Sequence, residues 1–240
     1  MKNTVFLVCG LTAFVVAATR VPVRAEPEPN PVPASWELTL QPASPTRIQV
    51  DGKMYWYVLY TVTNNTGQDV DFHPEIVRVN EIASELTADQ AAAKPEQAPK
   101  VNVDPAIVGV PSRVFQAISQ RHARTHPFLV TPVKAISRLL QGKDNALTSV
   151  AVFPDLDPRV SKFTIYVGGL SGERIARPNP GYNSKKSTGD AAKKSATGDD
   201  DNPKFFVQRT TLAMPYTLPG DSMTRRNAAP VLGRMTWVMR

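Results

Sequence analysis

The stretch Met54-Tyr-Trp-Tyr-Val-Leu-Tyr-Thr-Val-Thr-Asn64 decides the fold. Aromatic and β-branched residues dominate it, and such side chains fit a pleated sheet better than the crowded turn of a helix. At a period of two, Trp56, Val58, Tyr60 and Val62 share one face, while Tyr55, Tyr57, Leu59 and Thr61 share the other. Both faces are apolar, so the segment reads as a central strand covered on both sides along at least its first half. Asn64-Asn-Thr-Gly67 ends it with turn chemistry. On the other side, Asp51-Gly52 is a hairpin signal joining it to the alternating Arg47-Ile-Gln-Val50.

Strand patterns continue outward. Trp36 to Leu40 alternates and is broken by Pro42 and Pro45. Val70 to Val79 returns as a strand interrupted at Pro74. Ser149 to Phe153 is a short strand, and Lys162 to Val167 alternates with Phe163, Ile165 and Val167 inward. Lys204 to Leu218 reads as a long strand in which Pro215 marks an edge or a bulge. Arg234 to Arg240 reads as a paired strand with Met235, Trp237 and Met239 toward the core. A helix is expected from Ser112, the N-cap, to Arg121, with Val114, Phe115 and Ile118 on one face. Residues 128–141 suit either element. Thr131 as cap, Pro132 at the first position and Gly142 beyond the end favour a short helix with a strand close behind. The 22 prolines agree with short elements and many turns.

Together these patterns predict a mainly β fold, an antiparallel β-sandwich of immunoglobulin-like type with one or two short helices. Its domain would run from 36 to 240. Two stretches of polar, low-complexity composition, about 83–105 and 179–203, are expected as mobile insertions.

Lys2 followed by the apolar run Val5–Ala18, then Val23-Arg-Ala25, has the layout of a cleavable signal peptide over 1–25. A short membrane anchor and a buried N-terminal strand are the alternatives. Alternating prolines over 26–35 form an extended spacer. The chain is therefore expected to be exported, to the periplasm, the cell envelope or the medium, with no transmembrane segment after cleavage. Losing Lys2, Arg20 and Arg24 takes the charge from +7 to 7 − 3 = +4. The basic residues are scattered in pairs rather than gathered in a stripe, which argues against nucleic acid as a partner. The one cysteine, Cys9, falls in the leader, so the mature chain has neither disulfide nor thiolate chemistry.

The blocks Tyr55–Gly67, Phe163–Glu173 and Thr211–Asp221 carry a resemblance. The chain resembles uncharacterised exported proteins of planctomycete-type bacteria. That resemblance implies a bacterial cell-envelope setting and transfers no functional residue.

Candidate sites are few. His122 and His126, four apart, would share a helix face and could hold a metal, against the plainer reading of two surface histidines at a helix end. Asp71, His73 and Glu75 alternate, as on a solvated strand face. Asp155 and Asp157 in a proline-flanked turn lack a calcium-loop spacing, and Asp199-Asp-Asp201 is solubilising. Gly168-Gly-Leu-Ser-Gly172 is a turn without the Lys-Ser/Thr ending of a phosphate loop, and Ser171 lacks a nucleophile elbow. Asn64-Asn-Thr66 fits a glycosylation acceptor. Tyr55 and Tyr57 would form a partner surface if nothing covers them, or core if a helix packs there.

With no catalytic motif and no cofactor implied, the expected function is a non-enzymatic envelope module that binds or scaffolds another macromolecule. A periplasmic metal-handling protein using His122, His126 and perhaps His73 is the first alternative. A hydrolase with carboxylates that meet only in space is the second.

Overall fold

The computed structural model describes residues 35–82, 100–182, 203–221 and 223–240. The leader, all but the last residue of the spacer, and the bulk of both low-complexity stretches lie outside them.

The fold grows from strand β3, Lys53–Thr63. Asp51 and Gly52 both take positive φ, 50° and 78°, as a two-residue hairpin turn requires, and they fold β2, Thr46–Val50, back along β3. Strand β1, Thr39–Pro42, continues along the same edge, pairing with the far half of β3. Pro42 faces Tyr60 and Thr46 faces Tyr57, so residues 43–45 oppose only 58 and 59, a bulge at the proline-rich junction. The other edge of β3 is taken by β8, Leu147–Pro154.

The larger sheet is antiparallel too. It contains β5, Glu75–Ile82; β6, Lys100–Pro105; β9, Val160–Gly168; β10, Arg174–Pro178; β11, Phe205–Thr217; β12, Val231–Leu232; and β13, Thr236–Met239. Its order is β6-β5-β9-β11, with β10 on the first half of β11 and β12 and β13 on its far edge. A two-stranded pair, β4 (Val70–Phe72) with β7 (Ser137–Leu139), lies apart. Consecutive partners β5–β6 and β10–β11 stay in one sheet, while β3 to β5, β6 to β8 and β8 to β9 change sheets. This connectivity is compatible with an immunoglobulin-like plan.

Pro215 sits inside β11 rather than at a sheet edge. Its carbonyl accepts from the Gly233 amide, on the side where β12 and β13 leave a gap. Its missing N–H therefore falls at a bulge, where no ladder bond is lost.

The two faces of β3 feed two cores. Trp56, Val58, Tyr60 and Val62 meet Phe163, Ile165, Val167, Met214 and Tyr216 of the larger sheet. Trp56, Phe163 and Tyr216 form an aromatic series through this core, with ring centroids 6.2 Å and 5.2 Å apart. Tyr57 and Leu59 meet Val150, Val152, Val114 and Ile118 on the opposite face. The last two belong to helix α1, Ser112–His122, where the sequence placed one. Pro111, not Ser112, is its N-cap, and no side chain caps it.

Two expectations need correction and one stands. The stretch 83–105 is not wholly a mobile insertion, because Lys100–Pro105 is strand β6, paired residue by residue with β5. Met235, just before β13, and Trp237 within that edge strand are both exposed. In 128–141 the expected short helix with a strand close behind is present: Thr131 caps α2, Pro132–Ala135, accepting from the Lys134 amide, and β7 follows at once. Val133, Ile136 and Leu140, which suit the helical period, are all exposed.

One charge lies between the sheets. Arg78 of β5 is 1% exposed and donates to Asp104 of β6 at 2.6 Å and to the Pro154 carbonyl at 3.0 Å. Its guanidinium stands 5.1 Å from the centre of the Phe153 ring. Asn80 donates to the same Asp104 oxygen. Burial holds the Arg78 pKa below its ordinary value, opposed by Asp104. Removing the carboxylate would leave a buried cation uncompensated. Asp104→Ala is expected to cost about 3 kcal/mol in urea unfolding, while the double change Arg78→Met with Asp104→Leu recovers most of that loss.

Candidate binding site

Helix α1 brings the two histidines together. The helix ends at His122, but the His126 amide still donates to the His122 carbonyl at 2.7 Å, so the one-turn spacing survives its end. The imidazole rings stand 5.9 Å apart. His122 Nε2 is 2.8 Å from the Tyr57 hydroxyl, and His126 Nδ1 is 2.9 Å from Thr125 Oγ1. Burial, then the charges of His126 and Arg121, hold the His122 pKa below 6.5, whereas burial raises that of Tyr57. Both groups stay neutral near neutrality, and the tautomer of His122 sets which of the two donates. Among the described residues no group of three His, Cys, Asp or Glu converges, and His73 does not complete such a group with this pair.

Helix α1 also settles the tyrosines. Tyr57 is 1% exposed in the core beneath the helix, and Tyr55 packs partly buried against that core. The partner-surface alternative fails because the face is covered. Asn64 is likewise unavailable as an acceptor: it is buried, and its amide donates to the Leu139 and Gln68 carbonyls at 2.9 Å and 2.8 Å.

Asp71 and Glu75 do not share a strand. Pro74 separates β4 from β5, and the two strands pair in different sheets. Gly169 adopts φ 82°, and a side chain there would collide with the His73 backbone, so the glycine run is a turn. Asp155 has a role that the sequence hid. It accepts from Arg47 at 3.1 Å and from Trp56 Nε1 at 3.1 Å, closing one end of the main core. The crevice beside it holds about 10 Å³, room for a single water. Asp157 is a turn aspartate, and hydrogen bonds from Arg159 hold its carboxyl below the usual range.

A second hollow lies on the outer face of the larger sheet. About 310 Å³ is enclosed by Glu75 and Val77 of β5, Tyr166 and Gly168 of β9, Val207, Arg209 and Thr211 of β11, and Arg240. Gly168 makes part of the floor: a Cβ there would stand 3.5 Å from that of Glu75 and 3.9 Å from Thr211 Oγ1. Arg240 exchanges both backbone hydrogen bonds with Arg209, and its guanidinium lies 4.4 Å from the Tyr166 ring centre. Arg174 of β10 is the register partner of Arg209. Residues directly opposite in a sheet project to one side, so Arg174, Arg209 and Arg240 form a row across three chain segments. Beyond the row, β10 and the first half of β11 make an exposed ribbon carrying Phe205, Phe206 and Val207.

No family model, curated protein or solved structure matches the chain.

The histidine geometry has a measurable consequence. The unfolded chain protonates His122 near 6.5 and the folded chain only at lower pH. The stabilising contribution is therefore complete above that value and is lost as the pH falls through it toward the folded value. Between about pH 7 and pH 5 the wild-type melting temperature should fall more steeply than that of His122→Gln. Equal slopes in calorimetric scans would show that the imidazole is not held neutral.

Proposed function

We propose that the chain is an exported, non-enzymatic module of the cell envelope that binds or scaffolds another macromolecule. We read its connectivity as immunoglobulin-like, a plan in which one sheet face and its loops are free to meet a partner. The observation that carries the reading is the composition of the exposed ribbon and the sheet face beside it. Phe205, Phe206 and Val207 are 47%, 48% and 58% exposed next to the arginine row. Aromatic residues and arginine are the types enriched where proteins bind partners, because they supply large contact area and directed hydrogen bonds. Lys2 and the apolar run Val5–Ala18 support an export route. Among the described residues no helix is long and apolar enough to cross a membrane.

The test is co-sedimentation of the full chain with isolated bacterial envelopes. Wild type should pellet, and the variant carrying Phe205→Ser and Phe206→Ser should bind about tenfold more weakly while keeping the same circular dichroism and melting temperature. Equal sedimentation of the two proteins, or none for wild type, contradicts the reading.

A further inference from the structure

The arginine row is the least explained arrangement in the molecule. Like charges directly opposite each other destabilise a sheet. Yet among the described residues none of Arg174, Arg209 and Arg240 forms an ion pair with a carboxylate. Glu173, next in sequence to Arg174, accepts from Thr210 Oγ1 at 2.7 Å. Thr210 is buried and neighbours Arg209 in the strand, so this contact lies on the opposite face of the sheet. Neighbouring strands are about 4.8 Å apart, so the row spans about 10 Å. A guanidinium matches a carboxylate with two parallel hydrogen bonds.

We propose that this groove binds a carboxylate-bearing saccharide, a chain of acidic sugar rings laid across β10, β11 and the Arg240 segment. The inference rests on the binding-module reading and names its ligand class. Charge complementarity calls for a ligand with several anionic groups in line. Glu75 narrows the choice. Its carboxylate lines the same groove and accepts hydrogen bonds only, so it repels a uniformly anionic polyphosphate and suits a ligand that also offers hydroxyl donors. Tyr166, Val77 and Val207 give the apolar faces of sugar rings a surface to lie on. At Gly168 the floor is bare, and a Cβ there would fill the gap between Glu75 and Thr211.

The experiment is isothermal titration calorimetry of the full chain with tetragalacturonate. Uncharged maltotetraose, linear polyphosphate and a poly-glutamate peptide serve as comparisons. Tetragalacturonate should bind in preference to all three. Arg209→Gln and Arg240→Gln should each weaken it about tenfold, the loss expected for one charge-assisted contact. Gly168→Val changes no charge and fills the floor, and it should weaken binding by a similar factor. Its fold is checked by melting, with Gly168→Ala as the milder variant expected to show a smaller loss in the same direction. The proposal is overturned by an absence of heat with tetragalacturonate, by unchanged affinity in the arginine variants, or by equal binding of polyphosphate or poly-glutamate. If tetragalacturonate fails while envelope co-sedimentation persists, the ligand class is wrong and the module reading stands. If both fail, both fall.

Discussion

Strand β3 has no wet face, and the rest of the structure follows from that. A strand apolar on both sides must have a layer on each. On one side the larger sheet supplies Phe163, Ile165 and Met214, and on the other α1 supplies Val114 and Ile118. Each core depends on the same backbone, so a slip of one residue in β3 would exchange the two sets of side chains and spoil both. The Asp51–Gly52 turn fixes that register on one edge, and eight paired residues of β8 fix it on the other.

The outer face of the larger sheet is under no such demand. It meets neither β3 nor α1, and it carries valines, a tyrosine, a glutamate and three arginines in place of a closed apolar layer. The buried ion pair of Arg78 and Asp104 shows how the molecule treats a charge that it must enclose: a carboxylate at 2.6 Å and a carbonyl at 3.0 Å. The outer arginines receive no such treatment. The contrast sets a charge that the fold pairs apart from charges that it leaves without a carboxylate.

Much of the fold was legible in the sequence, because local signals agreed with tertiary need. The alternation of Met54–Asn64, the Asp51–Gly52 turn, the Thr131–Pro132 start and the helix over Val114 and Ile118 all stand in the structure. What was not legible depended on partners distant in sequence. Strand β6 lies at the end of a polar stretch, and only its pairing with β5 orders Lys100–Pro105. Trp237 reads as core from its alternation, but it lies on an edge strand and is exposed. The site was less legible still. His122 and His126 were visible because they lie one helical turn apart. The arginine row draws on residues 174, 209 and 240, and no spacing links them until the strands are in register.

Strand β3 should be the last part of the molecule to open and the ribbon the first, since one is dry on both faces and the other is exposed. Native-state hydrogen exchange reads this residue by residue. The amides of Tyr57–Val62 should exchange only through global unfolding, and those of 174–178 and 205–209 well before. If the β3 amides exchanged together with the ribbon or ahead of it, the doubly covered strand would not be what holds this fold together.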